Sequence, residues 1–309
     1  LLSAAAAAAV VVLLVSPVRA LRIALPVQPE RLALTSPVVV AGKVTGFEKD
    51  TVDAPLPHAG ATDKVAYKVA VVKIDQALVG ADGVTHIKIG FIPPAPANPN
   101  PNPPVGGVRP GVRPIRPLPP MPELKEGQEA LFFLAKHPSA NFYVLVNNAA
   151  PIDITTDAGK KQLDDVKKAL AVVAEPMKGL KSEKAEERLD AVAKLLTKYR
   201  AYPVFGGETQ EVAIPAEESK LILKAIADAD WKGANAGPVG GPRLALTAQQ
   251  AFFQLGLSDK DGWKQPEFPR PVPGAPPVDY AALQKEAFVK WLAGPGKDYV
   301  VKKVVAKNM

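Results

Sequence analysis

Apolar and polar positions follow two rhythms along this chain, and the change between them falls near Pro151. Before it the pattern is that of strands. Val38-Val39-Val40-Ala41-Gly42-Lys43-Val44 is a β-branched run, and Ala66 to Ile74 is a second with partial alternation. His86-Ile87-Lys88-Ile89-Gly90-Phe91-Ile92 alternates strictly enough to bury one face. Ala130 to Leu134 is continuously apolar, and Phe142 to Val146 follows a turn around Pro138. Five strands with short turns predict a small antiparallel barrel or sandwich.

After Pro151 the period becomes helical. Leu163, Val166, Leu170 and Val173 fall on one helix face, and Pro176 ends that helix. Ser182 offers an N-cap for a second helix through Ala185, Leu189, Val192, Leu196 and Tyr199, stopped by Pro203. A third begins near Pro215 with Glu217 and Glu218 in its first turn and buries Leu221, Ile222, Ala225 and Ile226. Thr247 and Gln250 have the spacing of a capping box for a short helix closed by Gly256. Asp279 caps a last helix carrying Leu283, Ala287, Phe288 and Trp291, after which Tyr299 to Val305 supplies a strand or a docking tail. The predicted class is therefore α+β: an OB-like β domain over 21–150, then a helical bundle or short stack of helix pairs over 151–309.

Two segments stand apart from these rhythms. Leu1 to Val15 is an unbroken run of apolar and small residues, apart from Ser3, ending at Val18-Arg19-Ala20, which reads as the apolar core and cleavage site of a signal peptide, with a mature start at Leu21. The run is too short to cross a bilayer and no later segment matches it, so an exported, periplasmic or secreted chain without an integral membrane segment is expected. Residues 93–122 contain thirteen prolines, which excludes helix or strand there and predicts an extended insertion between the third and fourth strands.

Composition narrows the chemistry. The chain has no Cys, so stability must come from apolar burial, and thiolate metal sites and cysteine nucleophiles are excluded. His58, His86 and His137 are widely separated. The net charge of +7 is spread among interleaved acids and bases, as in Lys160, Lys161, Asp164, Asp165, Lys167 and Lys168, which marks solvated helix faces. Arg109, Arg113 and Arg116 are the insertion's only charged residues and form its candidate binding surface. Three phosphate contacts would give a salt slope of only about −2.7, too shallow for a dedicated nucleic-acid site.

No catalytic constellation emerges. Asp259-Lys260-Asp261-Gly262 lacks the further ligands of a calcium loop, the 233–241 glycine-rich run lacks a phosphate-loop ending, and no Gly-x-Ser-x-Gly element is present. The carboxylate pairs Glu186-Glu187 and Glu217-Glu218 are placed on solvated helix surfaces, and Trp231, Trp263 and Trp291 are assigned to packing. No catalytic residue, metal ligand or cofactor is assigned.

The stretch from Val38-Val39-Val40-Ala41-Gly42-Lys43-Val44 through Tyr67-Lys68-Val69-Ala70-Val71 and Ala77-Leu78-Val79-Gly80 to Gly127-Gln128-Glu129-Ala130-Leu131-Phe132-Phe133-Leu134 resembles a netrin-like or TIMP-like OB barrel. That resemblance implies the barrel, but the family's disulfide cysteines are missing, including the N-terminal one that meets a protease zinc, so metalloprotease inhibition does not carry over. With Glu217 to Leu223 and Gly256 to Trp263 added, the whole chain is similar to uncharacterised exported bacterial proteins. The expected function is noncatalytic binding, with another envelope or secreted protein as partner. The alternative is an envelope-polymer hydrolase with carboxylates gathered at the domain junction.

Overall fold

A computed structural model of the chain describes residues 28–58, 60–93, 122–231, 247–269 and 278–307. The expected signal segment 1–20, the 233–241 glycine-rich run and nearly all of the proline-rich insertion, with Arg109, Arg113 and Arg116, lie outside the described residues.

The strands are β1 (Val38–Phe47), β2 (Val52–Pro55), β3 (Lys64–Val79), β4 (His86–Phe91), β5 (Glu129–Lys136), β6 (Tyr143–Leu145) and β7 (Ile152–Asp153). Five of them close a barrel in the order β1-β3-β4-β6-β5, with β5 returning to β1. Every contact around the ring is antiparallel except a short parallel one between β4 and β6. Closure leaves no open edge in the ring. The result is an OB-like barrel followed by helices.

Register explains why β1 and β5 read as continuous apolar runs. Val38, Val40, Phe132 and Leu134 point into the barrel, where they meet Val72, Ile87, Ile89 and Phe91. The intervening Val39, Ala41, Leu131 and Phe133 face outward yet are equally buried. Only at the far end does the ladder reach solvent, where Lys43 and Glu129 pair at 3.0 Å. Gly42 is required by closeness: a Cβ there would lie 2.3 Å from the carbonyl oxygen of Lys73 on β3.

Helices cover that second face. α1 (Pro29–Thr35), in a stretch where the strand pattern predicts no helix, has Pro in its first turn and buries Leu32, Ala33 and Leu34. α2 (Asp157–Ala174) starts at Thr156, whose hydroxyl accepts the Gly159 N–H, and lays Val166, Leu163 and Leu170 against the outer residues of β1 and β5. Packing thus crosses residue 151.

The remaining elements are α3 (Pro176–Leu180), α4 (Ala185–Tyr199), β8 (Thr209–Ala213), α5 (Ala216–Asp228), α6 (Ala248–Leu255), α7 (Tyr280–Ala293) and β9 (Lys302–Ala306). The predicted caps at Thr247 and Asp279 form as expected, and Gly256 takes the left-handed conformation that closes α6. Two boundaries shift: α4 begins after Lys184, Ser182 instead bonding Lys184 and Glu187, and Pro215 is the residue before α5 rather than its first. The tail becomes β9, paired antiparallel with β8. Trp231, Phe252, Trp263, Phe288 and Trp291 form a connected aromatic core, and the Trp231 and Trp291 indoles donate to the carbonyls of Ile226 and Asp261. Among the described residues no helix is long and apolar enough to cross a membrane.

One expectation for this half is overturned. Glu218 does not lie on a solvated surface but is buried, where it accepts a hydrogen bond from the Tyr199 hydroxyl. Burial first, and Glu218 second, push the Tyr199 phenol above its ordinary range. Burial likewise pushes Tyr299 up to about 12, with Asp261 adding to it.

Two measurements test this architecture. Phe132→Ala and Phe133→Ala should each destabilise the protein by about 3–5 kcal/mol. Only the second, which removes a helix-facing ring, should also speed amide exchange selectively in α2. Because the folded phenols of Tyr199 and Tyr299 hold their protons above the ordinary value of 10.0, the stability they contribute is fully present below pH 10 and is lost as pH rises from there toward about 12. Absorbance titration of the phenolates should show these two, and the buried Tyr67, ionising above the ordinary range and together with unfolding.

A candidate ligand cleft at the junction of barrel and helices

On OB barrels the usual ligand face is the outer surface of the second and third barrel strands and the loops beside it. Here those strands are β3 and β4, and part of that face is already filled. β2 pairs along β3, and Ala54, Tyr67, Val69, Phe142 and Val144 form a buried patch over it. Phe142 lies so close on Gly90 that a Cβ there would come within 2.4 Å of the ring. His137 fastens the arrangement. It follows β5 as expected for a turn residue, but it is buried, with Nε2 donating to the Pro55 carbonyl at 2.9 Å and Nδ1 accepting from the Ser139 N–H at 3.2 Å. Both ring nitrogens are thereby engaged in structure. What stays exposed on the face includes Lys73, His86 and Lys88, and Lys88 already pairs with Glu48.

The open space lies instead where barrel and helices part. A cleft of about 680 Å³ is lined on the barrel side by residues including Val38, Ala135 and Tyr143, and opposite by Tyr202, Phe205 and Val304. A hollow of about 410 Å³ shares Thr35 and residues 201–204 with it. The segment between α4 and β8 builds the wall common to both. Val204 and Phe205 anchor it against the barrel's outer core, Gly206 N–H closes a turn on the Pro203 carbonyl at 3.0 Å, and the Tyr202 ring is left 64% exposed. Such a volume suits a small organic molecule.

The cleft's charge is one-sided. Lys136 and Lys198 line it, Arg31 and Arg200 line the neighbouring hollow, and among the described residues no Asp or Glu lines either. Arg200 is committed to Glu211 at 2.7 Å. Lys198, in the last turn of α4, is half-buried, and burial alone pulls its ammonium below the ordinary lysine range. No carboxylate among the described residues pairs with it. Ser36 also lines the cleft; it is fully buried and its hydroxyl has no hydrogen-bond partner among the described residues.

The other residues singled out in the sequence do not converge on this space. Asp259 to Asp261 form a short 3-10 turn in which Asp261 is taken by Ser258 and, at 3.1 Å, by Lys302. Glu186 and Glu187 are exposed, and Glu187 is occupied by Ser182 and Lys184. Among the described residues no group of three or more His, Asp or Glu side chains is placed to hold a metal ion. Neither a scan against protein-family models nor a search of curated proteins finds a match to the chain.

Because His137 holds two backbone groups at once, His137→Ala should destabilise the fold by about 1–3 kcal/mol per group left without a partner, read as a lower denaturation midpoint. The variant should keep the shape of the cleft once folded, since His137 is not among the residues lining it.

Proposed function

We propose that this is an exported, noncatalytic binding protein whose ligand occupies the cleft between the OB-like barrel and the helices. The observation that carries the reading is the composition of that cleft: apolar walls, an exposed tyrosine and unpaired lysines, on a frame fixed by packing on both sides. Sites of this kind hold a ligand by burial and a few oriented polar groups. Polymer hydrolysis at the junction would instead need two facing carboxylates, one of them a proton donor, and the described lining residues offer none.

Amide exchange on the full chain, run with and without each compound of a small-molecule panel, tests this. A bound compound should slow exchange at residues 36–38 and 201–206, and Tyr202→Ala should weaken it about tenfold, the loss expected for one stacking ring at a pocket mouth. Incubation with glycan and peptide polymers should release no soluble fragments above a blank. Protection confined to other regions, or polymer cleavage, would sink the reading.

A further inference from the structure

Elsewhere on the molecule some lysines pair with a carboxylate, as Lys43 does with Glu129, Lys194 with Asp190, Lys224 with Asp228 and Lys302 with Asp261, while others, such as Lys73 and Lys125, stand exposed. Most of these pairs are exposed and contribute little. Lys198 differs from both groups in being half-buried with no carboxylate beside it among the described residues. It stands in the cleft, where partial burial makes an opposite charge worth most, and there the described residues supply none. Lys136 adds a second cation at the rim. The orphan hydroxyl of Ser36 is a further polar group without a partner in the same lining. Around these groups the walls are apolar or aromatic, so a bare inorganic ion would leave most of the space unfilled.

We propose that the cleft binds an organic anion, a carboxylate or phosphate group on an apolar or ring-bearing body, with the Lys198 ammonium as counter-charge and Tyr202 and Phe205 against the body. This rests on the reading that the cleft is the ligand site, and it adds the ligand's class. The anion supplies the missing carboxylate or phosphate oxygens; the body displaces water from the walls formed by Val38, Tyr143 and Phe205.

Calorimetric titration of the full chain with 3-phenylpropionate, phenyl phosphate, inorganic phosphate and the neutral 3-phenylpropanol decides it. The two aromatic anions should bind about tenfold or more tightly than the alcohol, the margin expected of one charge-assisted contact, and inorganic phosphate should bind more weakly than phenyl phosphate. Whichever aromatic anion binds better identifies the head group as carboxylate or phosphate. Lys198→Met, which keeps the length of the side chain and removes the charge, should bring both anions down to the alcohol's affinity. It should do so without lowering the melting temperature of the unliganded protein, because it removes a half-buried charge that has no carboxylate partner among the described residues. A lysine serving packing alone would leave the anion preference unchanged in that variant, and that result overturns the proposal. Equal binding of the alcohol and the anions, still weakened by Tyr202→Ala, overturns the ligand class while leaving the cleft as the site. Binding of every probe insensitive to Tyr202→Ala, or no binding, overturns both.

Discussion

The fold depends on one constraint: β1 and β5 are buried on both faces. Their ladder runs from Val38 opposite Leu134 to Lys43 opposite Glu129, and alternate residues feed two different cores. A one-residue slip would exchange those two sets and place helix-facing side chains inside the barrel, so register here is fixed from both sides. The same ladder makes the helices part of the barrel's stability. Val39 and Phe133 are as buried as Val40 and Phe132 because α1 and α2 lie over them. With no disulfides, this shared burial is a main source of cohesion between the β and helical portions.

The cleft follows from where that shared core ends. At the Val38 end of the ladder the chain enters from α1 through Ser36 and Pro37, β5 leaves through Lys136, and the segment after α4 crosses opposite them. Val204 and Phe205 bind this segment to the barrel, so the wall carrying Tyr202 is positioned by the core packing. A cleft held this way is pre-formed, so binding in it would require little ordering of the protein.

Much of the fold was legible in sequence because burial left periodic traces. The five barrel strands, the helix faces of α2, α4 and α5, and the caps at Thr247 and Asp279 all rest on local patterns that agree with the tertiary packing. What escaped had no such trace. β8 is almost wholly exposed, so Thr209 to Ala213 shows no alternation, and β2 and β7 are four and two residues long. α1 is seven residues with its apolar positions consecutive. Glu218 looked like an ordinary first-turn acid because its partner, Tyr199, arrives from another helix. The cleft was invisible for the same reason: its lining comes from four stretches far apart in the chain, and Lys198 reads locally as a cation suited to a helix C-terminus.

That last ambiguity bears on function. A lysine at the end of a helix is favoured by the helix dipole, but at the surface that benefit requires no burial. Lys198 is drawn partly out of water without a carboxylate among the described residues to meet it, and burial disfavours its charge. On the other side of the barrel the opposite holds: His137, Phe142 and Tyr67 occupy part of the surface that an OB barrel ordinarily leaves for ligands and satisfy their polar groups internally. The chain has sealed part of the face its fold would suggest for recognition and left charge unpaired at the junction. Unsatisfied cation and available volume therefore coincide at one place, and any recognition by the folded body is most economically assigned there.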